Sequence, residues 1–263
     1  MDNCFIKLSI VTPLLEFDAG YECTNLSLLS QVDLGDYNVE VLYVVKSTEH
    51  SERIEKVSRN LSIKYFGFND CGEYDAINHG IKKSEGEYVQ VLCGGDEFIT
   101  NKTLSFLLSK LCNADVISAG IVYTTTIKHY PIRVWMPKWK ENSWRRGMML
   151  PHPGLFVKKT VYEIIGLYSL EYSVIADYEF EMRLLAVHRY KPLLLNSVVV
   201  RMDTGGRSYG GLFGNRVQQY DALKVLSSLG LKPSKAYFFF KLIDRWSQYF
   251  RAVTDRTCLN KIQ

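Results

Sequence analysis

The stretch that decides the fold is residues 70–98, which read DCGEYDAINHGIKKSEGEYVQVLCGGDEF. Its first part carries apolar residues at helical spacing and predicts a helix over about 74–84. Its second part contains YVQVL, whose β-branched residues predict a strand over 88–92. A helix followed by a strand that ends in CGGDEF indicates an α/β fold, in which ligands bind beyond the carboxyl ends of the strands.

The chain before and after this stretch continues the alternation. Strands are predicted at Lys7–Thr12, Val39–Val45 and Ser62–Phe66, and helices at about 51–60 and 102–111. Strand, helix, strand, helix predicts a mostly parallel central sheet that helices cover on both faces.

The second half of the chain follows another pattern. A β-hairpin is predicted within 112–157, then a helix near 176–187, a strand near 197–201 and helices to the end. We expect a single domain over residues 1–263. The parts of this domain are predicted at about 1–111, 112–215 and 216–263.

Composition and charge limit the class of protein. The 263 residues are 47% hydrophobic and 13% aromatic, which is enough for a sizeable core. The net charge of +4 is too small for the basic face of a nucleic-acid binder, so no nucleic-acid partner is expected. The six cysteines lack the spacing of a disulfide framework or a zinc site, and no signal peptide or membrane-spanning run is visible. A cytoplasmic location is therefore expected.

The string GGDEF at 94–98 is also the signature of the diguanylate cyclases. In those enzymes it lies on the turn of a β-hairpin, usually after an Arg and an aromatic residue. Here Val91, Leu92 and Cys93 precede the string, and a predicted helix follows it. The surroundings therefore argue against a cyclase.

Residues 70–98 resemble instead the nucleotide-binding half of the family 2 glycosyltransferases, particularly the bacterial enzymes of colanic-acid and O-antigen assembly. The shared pattern is D-x-G-x-Y-D-A-x-N-x-G-I, then G-E/D-Y, a hydrophobic strand and a turn that carries a carboxylate. Five further stretches of the chain match the family pattern and occur in the same order as in the family. They are SIVTP at 9–13, VEVLYVV at 39–45, PHPGLFVKK at 151–159, GLYSLEYSVIADYEFEMRLL at 166–185 and GGRS at 205–208. The resemblance implies the GT-A fold, a Rossmann-like sheet with a nucleotide-sugar-binding half and a smaller acceptor-side half.

The resemblance also implies an activity. It is the inverting transfer of a sugar from a nucleotide-diphosphate sugar, with a UDP-sugar favoured, to a saccharide hydroxyl in bacterial surface polysaccharide biosynthesis. A divalent cation, Mn²⁺ or Mg²⁺, is implied, because negative charge develops on the departing diphosphate. Asp96 matches the carboxylate that remains of the D-x-D motif of the family, here reduced to Gly-Gly-Asp, and is assigned to the metal. The alternative for Asp96 is a role in capping the turn.

Site residues are assigned by the same resemblance. Asp177, in ADYEF, matches the general base, and a helix N-cap is its alternative role. Lys46 stands where the family usually has the Asp that binds the nucleobase, which leaves base recognition to Glu49, to backbone groups or to another residue. Asp75 also suits the first turn of a helix. The residues assigned to the donor pocket are Thr12, Pro13, Asp70, Gly72, Tyr74, Asp75, Asn78, Gly95, Arg207 and Ser208.

The acceptor side is expected in the second half. Residues 128–146 hold six Lys or Arg, one Glu and three of the four tryptophans, which suits an acceptor linked to polyprenyl diphosphate, and equally a dimer contact or core packing. His152 is a candidate metal ligand or acceptor contact, or a buried structural histidine. Segment 235–251 mixes aromatic with basic residues and predicts either peripheral membrane contact or packing on the domain. A non-catalytic protein that keeps the fold is the alternative to an enzyme.

Overall fold

The computed structural model describes residues 6–47, 52–58, 60–111, 114–125, 130–203 and 216–254. The described residues form ten strands: β1 (Ile6–Leu14), β2 (Asn38–Lys46), β3 (Glu52–Lys56), β4 (Leu61–Phe68), β5 (Tyr88–Val91), β6 (Glu97–Phe98), β7 (Val116–Thr124), β8 (Pro131–Trp135), β9 (Leu155–Lys158) and β10 (Leu193–Asp203). They also form seven α-helices: α1 (Ala19–Leu29), α2 (Glu73–Lys83), α3 (Thr103–Leu108), α4 (Lys159–Ile165), α5 (Ala176–Met182), α6 (Arg216–Ser228) and α7 (Tyr237–Thr254).

All ten strands belong to one sheet, in the order β3-β4-β2-β1-β5-β9-β7-β10-β6, with β8 paired to β7. Strands β4, β2, β1 and β5 pair in parallel. Residues 39–44 of β2 are all buried, as expected for a parallel strand covered on both faces. The predicted α/β class is therefore confirmed.

Strand β1 continues beyond its predicted end at Thr12. Pro13 stays in register with Val44 of β2, whereas the pairing of β1 with β5 ends at Val11. Because no strand pairs with Pro13 on the β5 side, its missing N–H removes no hydrogen bond from the ladder there.

The helix predicted at 51–60 was wrong. Glu52–Lys56 forms β3, which pairs antiparallel with β4 at the edge of the sheet. The charged side chains of Glu52, Arg53 and Glu55 are exposed there, which discourages pairing with another chain. The segment contains one large apolar residue, Ile54, and so offers too little periodicity to separate strand from helix.

In the second half the sheet becomes mixed. Strand β9 runs antiparallel to both β5 and β7, and thereby joins the two halves. Strands β7 and β8 form the predicted antiparallel hairpin, and β10 pairs in parallel with β7. The sheet was predicted to be mostly parallel; this holds for β4, β2, β1 and β5, whereas the second half is mixed.

The predicted helices at 74–84, 102–111 and 176–187 are confirmed, the last as α5 followed by a π-helical turn. Helix α2 packs closely on β1 and β2, because a Cβ on Gly80 would lie 3.1 Å from Val44 Cγ2 and still closer to Val11. A glycine at position 80 is therefore needed for this close packing. None of the described helices has the length and apolar character needed to cross a bilayer.

Helices α6 and α7 cover the second half. Their buried residues form one apolar cluster with α5 and with residues that precede α6: Trp144, Ile175, Tyr178, Met182, Ala222, Val225, Leu226 and Tyr237. Tyr178 and Tyr237 also join their hydroxyls by a hydrogen bond of 2.9 Å. This packing places α7 beside α5, which carries Asp177.

Candidate active site

A cavity of about 420 Å³ opens between the two halves of the chain. The first half contributes Tyr74 from the start of α2 and Asp96 from the turn after β5. The second half contributes Asp177 together with residues of β8 and α7. Three residues assigned from sequence, which lie far apart along the chain, therefore meet in one cavity.

Asp177 is the second residue of α5 and lies at the boundary between the two halves. Its Oδ1 accepts hydrogen bonds from the Tyr74 hydroxyl at 3.2 Å and from the Tyr178 N–H at 2.8 Å. Ile175, not Asp177, is the residue that flanks the start of the helix. The N-cap interpretation of Asp177 was therefore wrong, and its carboxylate is held at the cavity wall.

Tyr74 fixes the position of this carboxylate from the first half. Its hydroxyl lies 3.0 Å from the Val174 carbonyl as well as near Asp177, and its ring stacks on Tyr168 at 5.7 Å between centroids. Burial, and then the negative charge of Asp177, raise the pKa of Tyr74. The phenol therefore stays protonated and remains a hydrogen-bond donor.

The turn that carries Asp96 is held by Thr24 of α1, a residue that sequence reasoning missed. The Thr24 hydroxyl donates to the Asp96 carbonyl at 2.7 Å and accepts from the Gly95 N–H at 3.0 Å. Asp96 Oδ2 accepts the Cys93 N–H at 3.2 Å, which supports the predicted turn-capping role. Gly95 has a φ of +93°, a region that side chains with a Cβ rarely adopt.

Asp96 is buried, and this burial, followed by the charges of Glu73 and Glu97, raises the pKa of its carboxyl to about 8, against the lowering effect of the Cys93 N–H. A buried carboxylate among acidic neighbours is a place where a divalent cation relieves repulsion. Within the described residues, no group of three or more His, Cys, Asp or Glu converges as a complete metal site. The residues fit a cation that Asp96 shares with ligand oxygens and water, which is how Mg²⁺ is often bound.

A second group of assigned residues lies at the carboxyl ends of β2 and β4. Lys46 Nζ lies 3.5 Å from Asp70 Oδ1, and the same oxygen accepts the Gly72 N–H at 2.9 Å. Asp75 Oδ2 accepts the Cys71 N–H at 3.0 Å, which agrees with its alternative role at the start of a helix. Lys46 therefore pairs with the Asp70 carboxylate.

The other assigned donor residues do not line the cavity. Asn78 is buried, and its amide group donates to the Tyr168 carbonyl at 2.9 Å and accepts the Tyr168 N–H at 3.0 Å. Thr12 is also buried, within β1, and Pro13 lies beside it in the strand. The cavity lining therefore excludes Thr12, Pro13, Asp70, Gly72, Asp75, Asn78 and Gly95.

His152 lines the cavity, and its ring is held by Tyr168, another residue of the second half. Its Nε2 lies 2.9 Å from the Tyr168 hydroxyl, and burial lowers its pKa, so the imidazole is neutral. Asn78 donates a hydrogen bond to the Tyr168 carbonyl and so fixes the tyrosine that holds His152. These contacts favour a structural role for His152.

The basic aromatic stretch separates into cavity and core residues. Trp144 is buried in the α5–α7 cluster and Trp139 packs against that cluster. Trp135 lines the cavity beside Arg133, whose guanidinium carbon lies 5.1 Å from the indole centroid. The assigned or considered residues Glu49, Lys128, Arg207 and Ser208 lie outside the described residues.

Glu181, one turn after Asp177 on α5, was also missed. It is completely buried; its Oε2 accepts the Leu150 N–H at 2.8 Å and its Oε1 has no hydrogen-bond partner among the described residues. Burial, and to a smaller extent the charge of Asp177, raise the pKa of Glu181 well above its usual range. This shift favours the neutral, protonated form of Glu181, which avoids a second charge beside Asp177.

Comparison with known proteins finds similarity to glycosyltransferases. The chain is 24% identical over 259 residues to a PGL/p-HBAD biosynthesis glycosyltransferase of Mycobacterium bovis, with 96% of each chain covered. It is 25% identical over 174 residues to an uncharacterised glycosyltransferase of Mycobacterium tuberculosis, covering 64% of this chain and 66% of the relative. No protein-family model matches the chain.

Solved structures share the fold. Staphylococcus aureus TarS in complex with UDP has a TM-score of 0.58 at 17% identity, covering 93% of this chain and 72% of TarS. A mannosyltransferase from Pyrobaculum calidifontis in complex with GDP-Man and Mn²⁺ has a TM-score of 0.57 at 13% identity, covering 95% and 74%. The GT-A fold and the resemblance to glycosyltransferases, both predicted from the sequence, are confirmed.

Proposed function

Taking the chain as a family 2-like glycosyltransferase of the GT-A fold, we propose that it transfers a sugar, with inversion, from a nucleotide-diphosphate sugar to a hydroxyl of a saccharide acceptor in bacterial surface polysaccharide biosynthesis. The observation that carries this proposal is the meeting of Asp96, Tyr74 and Asp177 in one cavity between the halves. A carboxylate for the donor metal and a carboxylate for the acceptor proton are the two acidic groups that such a transfer needs.

The donor assignment is supported by the ligands of the structural neighbours. TarS was solved with UDP and with UDP-GlcNAc, and the mannosyltransferase with GDP-Man. We favour a UDP-sugar as the donor of this chain. Lys46, which pairs with Asp70, stands where the family usually has the Asp that binds the nucleobase. The base of a UDP-sugar would therefore meet an ammonium group there instead of a carboxylate.

Asp177 acts as the general base in this proposal. The Tyr74 hydroxyl and the Tyr178 N–H both hold Oδ1, and we assign Oδ2 to the acceptor proton. As Oδ2 takes that proton, the acceptor oxygen forms its bond to the anomeric carbon, and the bond from that carbon to the diphosphate oxygen breaks on the opposite face. This single displacement inverts the anomeric centre.

Asp96, buried in the turn after β5, would hold the divalent cation together with diphosphate oxygens and water. When bound, Mn²⁺ or Mg²⁺ supplies positive charge to the leaving diphosphate. The chain itself contributes the rigid turn, because Thr24 holds the main chain on both sides of the carboxylate.

The test of the base is Asp177→Asn, assayed as release of nucleoside diphosphate from UDP-sugars with a membrane extract of the source organism as acceptor. Asn keeps an oxygen for the Tyr74 hydroxyl but cannot take a proton, so kcat should fall about 10²- to 10⁴-fold while Mn²⁺-dependent UDP binding persists. An unchanged kcat would remove the base assignment. If the wild type binds UDP but releases nucleoside diphosphate from none of the donors, the result would favour the non-catalytic alternative.

The test of the metal site is a thermal-shift titration with UDP, GDP and dTDP, each with and without Mn²⁺. A ligand that binds only the native state raises the apparent stability, so we expect UDP to raise Tm when Mn²⁺ is present. Asp96→Asn should abolish the Mn²⁺-dependent part of this shift. A shift that does not depend on the metal would contradict the role of Asp96.

We further propose that α7 rests on a membrane surface, where a lipid-linked acceptor would be found. One face of α7 lines the cavity, and the opposite face carries an apolar stripe with alternating spacings of four and three residues. Its members are between 50% and 76% exposed: Phe239, Ile243, Trp246, Phe250 and Val253. The stripe is about 20 Å long at a rise of 1.5 Å per residue.

Charge favours an anionic bilayer as the partner of this stripe. Arg145 and Arg146 are exposed beside α7, the guanidinium of Arg146 lies 5.1 Å from the Phe240 ring, and Arg251 lies on α7 itself. Basic residues around a half-exposed aromatic stripe are typical of helices that lie in the headgroup region. A second copy of the chain, which would bury the stripe in a homodimer, is the other possible occupant.

Flotation with phosphatidylcholine vesicles, with and without phosphatidylglycerol, distinguishes these occupants. We expect binding to the anionic vesicles that Trp246→Glu with Phe250→Glu abolishes, whereas Ile164→Glu, at an exposed apolar residue of α4, leaves binding unchanged. A dimer in analytical ultracentrifugation that the same double variant dissociates, without vesicle binding, would overturn the membrane proposal.

A further inference from the structure

Three cationic side chains of the second half line the cavity that contains Asp96 and Asp177. Arg133 comes from β8, and Lys241 and Arg245 come from the inner face of α7. Lys241 and Arg245 lie one turn apart on the helix and so project to the same side. None of the three forms an ion pair with a carboxylate among the described residues.

Arg133 is the most firmly held of the three. It is 5% exposed, its Nε donates to Gln248 Oε1 at 2.6 Å, and its guanidinium carbon lies 4.7 Å from the Tyr123 centroid and 5.1 Å from that of Trp135. Burial lowers its pKa, against the opposing effect of Tyr123. The aromatic contacts fix the guanidinium but do not neutralise its charge.

Arg245 carries the strongest sign of a missing partner. Its Nε and Nη2 are buried and make no hydrogen bond with any described residue. A guanidinium presents its N–H groups in a fixed fork that matches the oxygens of a carboxylate or a phosphate. Leaving two such donors buried and unpaired is costly, and an anion in the cavity would remove that cost.

Lys241 adds a third charge beside Arg245. Its Nζ lies 5.4 Å from the Tyr178 ring centroid and 5.6 Å from that of Tyr237. Burial, followed by the charge of Arg245, lowers the pKa of Lys241 to about 8, while Asp177 opposes the shift. The ammonium is therefore mostly charged at neutral pH but lacks a close counter-ion.

The nearby carboxylate of Asp244 is already engaged. Its Oδ1 lies 3.3 Å from Lys138 Nζ, and its Oδ2 accepts from Gln248 Nε2 at 2.8 Å. Asp244 thus holds Gln248, which in turn holds Arg133. Asp244 therefore positions Arg133 through the Gln248 amide and pairs with none of Arg133, Lys241 and Arg245.

We propose that Arg133, Lys241 and Arg245 form a binding subsite for a polyvalent phosphate-type anion, such as a diphosphate group. Three cations suit a multiply charged anion better than a single carboxylate. Since the cluster shares the cavity with Asp177, the inference rests on the proposed function and specifies its substrate as one that brings a diphosphate to this wall. The diphosphate can belong to a lipid-linked acceptor or to the leaving nucleotide.

Calorimetric titration with inorganic pyrophosphate in EDTA tests the subsite without the metal. The wild type should bind, and Arg245→Met should weaken binding about tenfold or more, as expected when charge-assisted hydrogen bonds are lost. Lys232→Met, which removes an exposed charge before α7, is the matched control and should bind like the wild type. No binding by the wild type, or equal binding by Arg245→Met, would overturn the proposal.

Titration with UDP and Mn²⁺ identifies the source of the diphosphate. If Arg245→Met no longer binds pyrophosphate but still binds UDP with Mn²⁺, the subsite binds the diphosphate of the acceptor. If the variant binds neither ligand, the subsite binds the diphosphate of the leaving nucleotide. Arg245→Lys, which keeps a charge, should retain part of the pyrophosphate affinity and guards against a folding defect in Arg245→Met. Binding of pyrophosphate in EDTA does not require the metal or Asp96. Failure of the subsite would therefore abolish pyrophosphate binding, whereas failure of the proposed transfer would abolish turnover and leave pyrophosphate binding intact.

Discussion

The turn at 93–96 and helix α7 line the same cavity, but their polar groups are held in different ways. In the turn, Asp96 accepts the Cys93 N–H, and Thr24 of α1 pairs with the main chain beside it. On α7, two buried nitrogens of Arg245 have no partner among the described residues. The turn is thus organised by the protein alone, whereas the α7 wall is organised for a ligand that supplies the missing acceptors.

The largest effect is expected where the two halves are tied together. Asn78→Ala should lower the free energy of unfolding by about 3 kcal/mol, because the buried N–H and C=O of Tyr168 would both lose their partner. Urea unfolding measures the change. Lys82→Ala, at an exposed position of the same helix, should stay within about 0.5 kcal/mol of the wild type.

If Asn78→Ala were as stable as this control, the bonds of Asn78 to Tyr168 would not help to hold the halves together, and that role would fall to β9 and to the Tyr74–Asp177 bond. The contrast between the turn and the α7 wall would then rest only on the local contacts of Asp96 and Arg245.

The next largest effect concerns the turn itself. Thr24→Val has nearly the same shape but removes the hydroxyl that donates to the Asp96 carbonyl and accepts from the Gly95 N–H. We expect a loss of about 2 kcal/mol in stability and weaker UDP binding in Mn²⁺. Thr24→Ser, which keeps the hydroxyl, should restore most of both; a normal UDP affinity in Thr24→Val would show that the turn holds its shape without α1.

Behind Asp177 on α5, the buried Glu181 should make stability depend on pH. Its carboxyl ionises at about pH 4.3 in the unfolded chain but keeps its proton to higher pH in the folded protein, because burial raises its pKa. The folded state then binds more protons, so this residue contributes a loss of stability as the pH rises, at most about 1.4 kcal/mol per pH unit.

Glu181→Gln mimics the protonated carboxyl and keeps an oxygen for the Leu150 N–H. Its stability relative to the wild type should therefore increase as the pH rises above about 5, as urea unfolding at several pH values would reveal. A difference that stays constant with pH would mean that Glu181 is ionised in the folded protein.

The features that could be predicted from sequence are those whose partners lie nearby in the chain. Asp96 bonds to Cys93 and Asp75 to Cys71, so a contiguous motif contains both the residue and its geometry. Long periodic segments such as α2 were predicted for the same reason. The GT-A fold followed from several such motifs in a fixed order.

The features that were missed depend on residues that come together only in the fold. Thr24 holds a turn some seventy residues later, and Arg245 meets Arg133 only because α7 packs beside β8. Neither residue type carries a local signal for such a role. Strand β3 was assigned as a helix because five mostly charged residues have no periodicity, and pairing with β4 decides their conformation.

The smallest effect is expected at Lys46, on the first-half side of the comparison. Lys46 is half-exposed at 43% and pairs with Asp70 at 3.5 Å, so Lys46→Met should cost less than about 1 kcal/mol of stability. Gly72 still donates its N–H to Asp70, which keeps the loop before α2 in place. Thermal unfolding at low and high salt measures this effect, which should shrink as salt screens the pair. A loss well above 1 kcal/mol that salt does not reduce would show that Asp70 becomes an uncompensated buried charge without Lys46, so that this edge of the sheet, unlike α7, satisfies its charge by a pair within the protein.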